Sequence, residues 1–107
     1  MRAGELRSRL ALEIPQRISD GAGGAATSWL EIAKIWANVT PVSASEQRSA
    51  EQRAEKITHR ITLRYRNDID ATMRFTGDGR IFEIEAIFNE AERDQWLVCH
   101  CVEGITA

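Results

Sequence analysis

The stretch Met73–Ile84, "MRFTGDGRIFEI", decides the fold. Two short alternating runs flank a tight turn, and the turn chemistry fixes their register. With Asp78-Gly79 as the two loop residues of a type I′ turn, both central residues sit where Asp and Gly tolerate positive φ. Phe75 then faces Phe82, and Met73 faces Ile84, on one side of the hairpin. Arg74 faces Glu83 on the other, a cross-strand ion pair worth about 0.2–1 kcal/mol. Moving the loop to Gly77-Asp78 pairs Phe75 with Arg80 and Arg74 with Ile81, which mixes the faces. A one-residue slip is penalised wherever one face is buried. The stretch therefore predicts a β-hairpin that sends Phe75, Phe82, Met73 and Ile84 into a core.

Working outward, the same period of two recurs on both sides. In "THRITLRYR" (58–66), His59, Ile61, Leu63 and Tyr65 fall on one face, and Thr58, Arg60, Thr62, Arg64 and Arg66 on the other. "IFEIEAIF" and "QWLVCHCV" are predicted to pair through a turn at residues 89–94. Their register stays open, because both faces of 96–102 are apolar: Trp96, Val98 and Val102 on one, Leu97, Cys99 and Cys101 on the other. A strand apolar on both faces is covered on both faces, which suggests a closed small barrel, a sandwich, or a surface covered by a neighbouring subunit. Residues 57–103 are thus a run of four strands.

Towards the N-terminus, "SRLALEIPQRI" (8–18) alternates, with Leu10, Leu12 and Ile14 on one side. Pro15 marks an edge strand or a bulge. "SDGAGGAA" (19–26) reads as a flexible loop. "TSWLEIAKIWANV" (27–39) fits a helical period almost as well as two short strands. Its tryptophans and β-branched residues favour strand, over 34–40 and ending at Pro41. "SASEQRSAEQRAEK" (43–56) carries the clearest helix signal, a capping box of Ser43 with Glu46 followed by strong helix formers. Its only apolar residues are alanines, so it has no face for a core; it is solvated, disordered, or held by another chain. The expectation is one all-β domain over residues 1–107. It is a small barrel or sandwich of about six strands, with one short helix or long loop between the early and late strands.

The bulk composition agrees with a single soluble domain. The chain has 107 residues, 43% hydrophobic and 28% charged, and a net charge of -2. That balance argues against a dedicated nucleic-acid or anionic-membrane binder. No apolar run approaches the ~20 residues of a membrane span, and the N-terminus has no signal-peptide core. The two cysteines, in "CHC", read as reduced thiols, since extended i, i+2 residues with Cα atoms ~6.6 Å apart lie at the far edge of disulfide reach.

No constellation supports catalysis or a cofactor. On a strand His100 points away from Cys99 and Cys101, and the only other histidine is His59, so a four-ligand zinc site is not expected. Glu83 and Glu85 read as a solvated face rather than an acid/base pair. "GAGG" lacks the strand-loop-helix context of a phosphate loop, and no nucleophile is placed beside a base. The stripe Arg60, Arg64, Arg66 has three readings: a solvated face laced with Glu83 and Glu85, a nucleic-acid backbone contact, or an interface with an acidic neighbour. Balanced total charge suits the first and third.

The ordered set "GELRSRLALE", "SWLEIAKIWANVTPVSASE", "THRITLRYRNDI" and "MRFTGDGRIFEIEAIFNEAERDQWLVCHC" resembles tailed-phage head–tail joining proteins, the connector or stopper subunits of siphophage-like particles and gene transfer agents. The resemblance spans nearly the whole chain. It implies a small β-barrel that forms a homo-oligomeric ring below the portal and its adaptor. The ring extends the DNA channel, retains packaged DNA and docks the tail terminator or tail tube protein. It implies a neck location in a virion or gene-transfer-agent particle assembled in the bacterial cytoplasm, with no membrane partner. Double-stranded DNA passes through without sequence-specific binding, and a mildly acidic subunit suits a channel in which phosphate contacts would retain DNA. The family's segment between the second and third strands reaches toward the channel or a neighbour; here that is 43–56, with Glu46, Gln47, Arg48, Glu51 and Gln52 as interface candidates. The segment departs from the pattern in having no aromatic anchor. Arg60, Arg64 and Arg66 are the candidates for a second partner face. The alternative is a free-standing barrel binding single-stranded nucleic acid through Arg60 and Arg64 with Trp29, Trp36, Tyr65 or Trp96, although most of these aromatics read as core.

Overall fold

The computed structural model describes residues 3–19, 21, 23–43 and 57–104. Six antiparallel strands carry the chain: β1 (Ser8–Ser19), β2 (Ala25–Pro41), β3 (His59–Arg64), β4 (Arg74–Gly77), β5 (Arg80–Asn89) and β6 (Trp96–Gly104). They close into a barrel in the order β1-β2-β3-β6-β5-β4. The helix expected over 43–56 lies, apart from Ser43, outside the described residues. Its flanks do not: the Val42 N–H donates to the Thr58 carbonyl at 2.9 Å, so the chain leaves β2 and re-enters β3 at one point.

The β4–β5 hairpin has the register its sequence dictates. Phe75 pairs with Phe82 and Arg74 with Glu83, and the Ile84 N–H donates to the Met73 carbonyl. Asp78 and Gly79 both have positive φ, 51° and 74°, as a type I′ turn requires. Phe75, Phe82 and Ile84 are buried, and Met73 packs against them at the rim.

The barrel interior is filled from every strand, by Leu10, Leu12, Ile35, Ala37, Ile61, Leu63, Phe75, Phe82, Ile84, Leu97, Cys99 and Cys101. On β6 the inward set is Leu97, Cys99 and Cys101, which resolves the open register: Cys101 pairs with Ile84 and Cys99 with Ile87. A bulge between Ile84 and Ala86 shifts the phase of β5. It turns Ile87 inward and leaves Phe88 about half exposed on the outside.

Three sequence expectations are corrected. β2 is one strand of 17 residues, not a strand confined to 34–40. A bulge explains why its apolar positions fit no single period: Leu12 pairs with Ala33 but Glu13 with Glu31, so Ile32 is the extra residue. Tyr65 does not continue the inward row of β3, which ends at Arg64; Tyr65 lies on the surface. Arg74 stands opposite Glu83, yet its Nε donates to Glu13 Oε1 of β1 at 2.7 Å.

Beyond the bulge, β1 and β2 leave the barrel as a two-stranded arm. β4 pairs only with Ala11–Glu13 and β3 only with Ala37–Pro41. Residues 14–19 of β1 therefore pair with β2 alone, and Pro15, which has no amide hydrogen, is tolerated there. One face of the arm pairs Ile14 with Leu30 and Ile18 with Ala26. Leu30 and Ile18 are 44% and 53% exposed, far more than core residues of their type.

Closure of the barrel rests on the short β1–β4 contact, three residue pairs long. Gly77 sits where that contact begins. A Cβ there would lie 2.8 Å from Leu10 Cδ2 and 3.1 Å from the Arg9 carbonyl oxygen. Leu10 is itself buried and cannot swing away. Gly77→Ala is expected to destabilise the fold by about 1–3 kcal/mol, the usual cost of overpacking. Gly4→Ala, where nothing lies within 4 Å, should leave the urea unfolding midpoint unchanged. Equal midpoints for the two variants would refute this account of closure.

Candidate functional site

The outer face of β1, β2, β3 and β6 carries a line of alternating arginine and tryptophan. Arg9 pairs with Trp36 across β1 and β2, and Arg64 pairs with Trp96 across β3 and β6. Trp36 and Arg64 adjoin one residue beyond the Ala37–Leu63 pair, so the four fall in one row. The Arg9 guanidinium lies over the Trp36 ring at 5.0 Å from its centroid, and that of Arg64 over Trp96 at 5.4 Å. Each exposed contact of this kind is worth roughly 0.5–1 kcal/mol. Neither arginine has a carboxylate partner among the described residues. The stacking holds both planar forks flat on the surface and leaves their N–H edges for an outside acceptor.

The three arginines singled out by sequence have separate fates. Arg64 stands in this row. Arg60 lies four residue pairs further along β3 on the same outer face, opposite His100. Arg66 lies beyond the strand in a loop, and its Nε and Nη2 donate to both Asp68 carboxylate oxygens at 2.9 and 2.8 Å. That bond holds the Asp68 carboxyl below its ordinary range. β6 intervenes between the stripe and the strand that bears Glu83 and Glu85. Glu46, Gln47, Arg48, Glu51 and Gln52 lie outside the described residues. Arg9 was not anticipated, because only the barrel register places it beside Trp36.

The aromatic residues are also corrected. Trp36 is 52% exposed and Tyr65 37%, while Trp29 and Trp96 are half-buried on the outer surface; none belongs to the core. Trp29 sits at the root of the arm with the Arg74 guanidinium 4.1 Å from its centroid, and Arg74 is held on its other side by Glu13. His100 faces outward against Phe88, ring centroids 4.8 Å apart. The two thiols face inward and are free. Burial pushes Cys99 up to about 12 and raises Cys101 further, with help from Cys99 and Glu85, so neither is a reactive thiolate near neutral pH.

The opposite end of the barrel, where the 43–56 segment departs, is closed by a polar group around His59. Arg80 donates through Nε and Nη2 to both carboxylate oxygens of Glu103 at 2.8 and 3.0 Å. It also donates to His59 Nε2 at 3.2 Å. Arginine has no acceptor, so His59 is neutral there and its proton sits on Nδ1, which donates to Thr58 Oγ1 at 2.9 Å. The ring packs edge-on against Phe82, 5.2 Å between centroids. Burial, then the Arg80 charge, lowers the His59 pKa below 6.5.

Three comparisons bear on these surfaces. A family model described as phage head completion protein matches residues 1–104. The solution structure of protein SF1141 from Shigella flexneri 2a is similar at 32% identity and a TM-score of 0.76, with 100% of both chains covered. A chain of the virion of a native gene transfer agent particle is similar at 29% identity and a TM-score of 0.68, covering 95% of this chain and 97% of that one. No curated protein matches.

The His59 contacts predict a pH dependence of defined sign. The folded state binds its proton less tightly than the unfolded state does. The stabilisation is complete above 6.5 and declines as pH falls through 6.5 toward the lower folded value. Thermal unfolding at about pH 7.5 and about pH 5.5 should show a loss in the native chain that is smaller in His59→Gln. The depressed carboxyls of Asp68 and Glu103 lose their contributions at lower pH, as it falls from the ordinary carboxylate range through their lowered folded values. An unchanged loss in His59→Gln would assign the transition to another group.

Proposed function

Because this chain belongs to the phage head completion protein family, we propose that it is a structural subunit of the head–tail neck of a virion or gene-transfer-agent particle. Copies form a closed ring below the portal and its adaptor, extend the DNA channel, retain the packaged genome and dock the tail terminator or tail tube protein. The similarity to a chain of a gene transfer agent virion supports the particle setting. Double-stranded DNA passes the ring without sequence-specific binding. The role needs no catalysis and no cofactor.

The observation that carries this reading is the arm. A closed barrel has no free sheet edge, yet β1 and β2 run past the barrel and expose an apolar face at Ile18 and Leu30. A paired, twisted ribbon with one unmatched apolar face is assembly surface, whereas a catalytic site needs convergent polar groups in a cleft. The 43–56 segment, leaving from the other end, is assigned to the channel or a neighbouring subunit, with Glu46, Gln47, Arg48, Glu51 and Gln52 as contacts. Arg60 and Arg64 belong to the partner face of the barrel wall, with Arg66, held by Asp68, in the loop just beyond it.

Deleting the gene and imaging the particles by negative stain should give filled or leaking heads beside free, complete tails. Normal tailed particles would remove the proposal. In the deletion background, Leu30→Glu with Ile18→Glu should fail to restore joined particles while the purified variant keeps its unfolding midpoint, since both residues are solvent-facing in the single subunit.

A further inference from the structure

A closed ring of identical subunits uses heterologous contacts: each subunit presents two different faces that fit one another. The chain carries two such faces outside the arm. One is the Arg9–Trp36–Arg64–Trp96 row, with two guanidinium groups that no carboxylate of the described chain neutralises. The other is the turn between β5 and β6. Glu90 and Glu92 there are exposed and make no ion pair among the described residues. The turn is held in one shape: Asn89 Nδ2 donates to Asp94 Oδ1 at 2.6 Å, and the Asp94 N–H donates to Asn89 Oδ1 at 3.1 Å. Ala91, Glu92 and Asp94 all take positive φ within it. β1 and β5 lie on opposite sides of β4, and three strands separate them the other way round the barrel. A single subunit therefore does not bring Arg9 to the acidic turn, whereas Arg64 and Trp96, at the near end of the row, share a surface depression with Asp94 of that turn.

We propose that the arginine–tryptophan row docks the Glu90–Glu92 turn of a second copy of this chain, and that this contact repeats around the ring. The inference rests on the ring reading above and names the interface within it. The signs are opposite, the arginine forks present paired N–H groups to carboxylates, and exposed Trp36 and Phe88 flank the charges with apolar area. Desolvating the stacked guanidinium groups against carboxylates strengthens each pair relative to the same pair in water.

The test is charge reversal in the deletion background, scored by the yield of joined particles. Arg9→Glu with Arg64→Glu should lower that yield on the order of tenfold or more, as like charges then meet at every interface. Glu90→Arg with Glu92→Arg should do the same. The fourfold variant, with both faces reversed, should recover most of the yield. Full activity of either double variant would overturn the proposal, and so would a folded but inactive fourfold variant. A second measurement does not depend on those variants folding. Arg9→Cys with Glu92→Cys should give a ladder of disulfide-linked multimers in oxidised particles; the native thiols, both buried, do not compete. Monomer alone in joined particles would overturn the proposal and leave the neck assignment standing. Salt-sensitive binding of a single-stranded oligonucleotide that Arg9→Glu with Arg64→Glu abolishes would also overturn it, by giving the row a different ligand. If the deletion itself leaves tailed particles normal, the ring reading has failed first.

Discussion

Everything in this fold depends on a close approach of two backbones. β1 and β4 meet over three residue pairs, Ala11–Thr76, Leu12–Phe75 and Glu13–Arg74, and those pairs turn an open six-stranded sheet into a barrel. Gly77 allows the approach by having no side chain where the Arg9 carbonyl and Leu10 press against it. Arg74 then spans the seam, reaching Glu13 on one side and Trp29 on the other. With the seam shut, the wall has no free edge, and Phe75, Phe82 and Leu12 are sealed from solvent. Unpaired backbone is left to the arm. The same contact that completes the core thus decides which part of the molecule remains available to others.

The two ends of the barrel are chemically distinct. At one, a neutral imidazole, a guanidinium and a carboxylate cover Phe82 where the 43–56 segment leaves and returns. At the other stand the arm, the arginine–tryptophan row and the acidic turn. The two ends of the subunit, and its sides, are therefore not interchangeable as contact surfaces. Family membership makes the chain a component of a phage-type particle; the distribution of charge and apolar area says which of its faces are open.

What the sequence disclosed follows from the range over which each signal acts. The β4–β5 hairpin was legible because two residues between its strands fix the pairing, and only one register keeps Phe75, Phe82 and Ile84 on a single face. The number of strands was legible for the same local reason. The length of β2 was not, since an extra residue at Ile32 breaks the period of two midway, and a broken strand period looks like a helical one. The last hairpin hid its register behind a strand apolar on both faces and a second bulge near Glu85. The partner of Arg74 was out of reach, because the cross-strand rule pointed to Glu83 while closure brought Glu13 closer. The stacked arginines were partly visible: Arg64 stood out on its strand, but Arg9 acquires its tryptophan only through pairing with β2. The tryptophans themselves misled, as hydrophobic bulk suggested core where stacking with arginine holds them on the outside.

The single strand β2 runs from the tip of the arm to the point where the 43–56 segment departs. It pairs with β1 from Ala25 to Ala37, around the bulge at Ile32, and with β3 from Ala37 to Pro41. A pull on the arm is therefore met in shear: many hydrogen bonds along β1 must slip together, instead of opening one at a time as they would under a peeling force. Load taken up by the arm would reach the far end along one continuous strand, interrupted only by the bulge at Ile32, which is the layout of a strut.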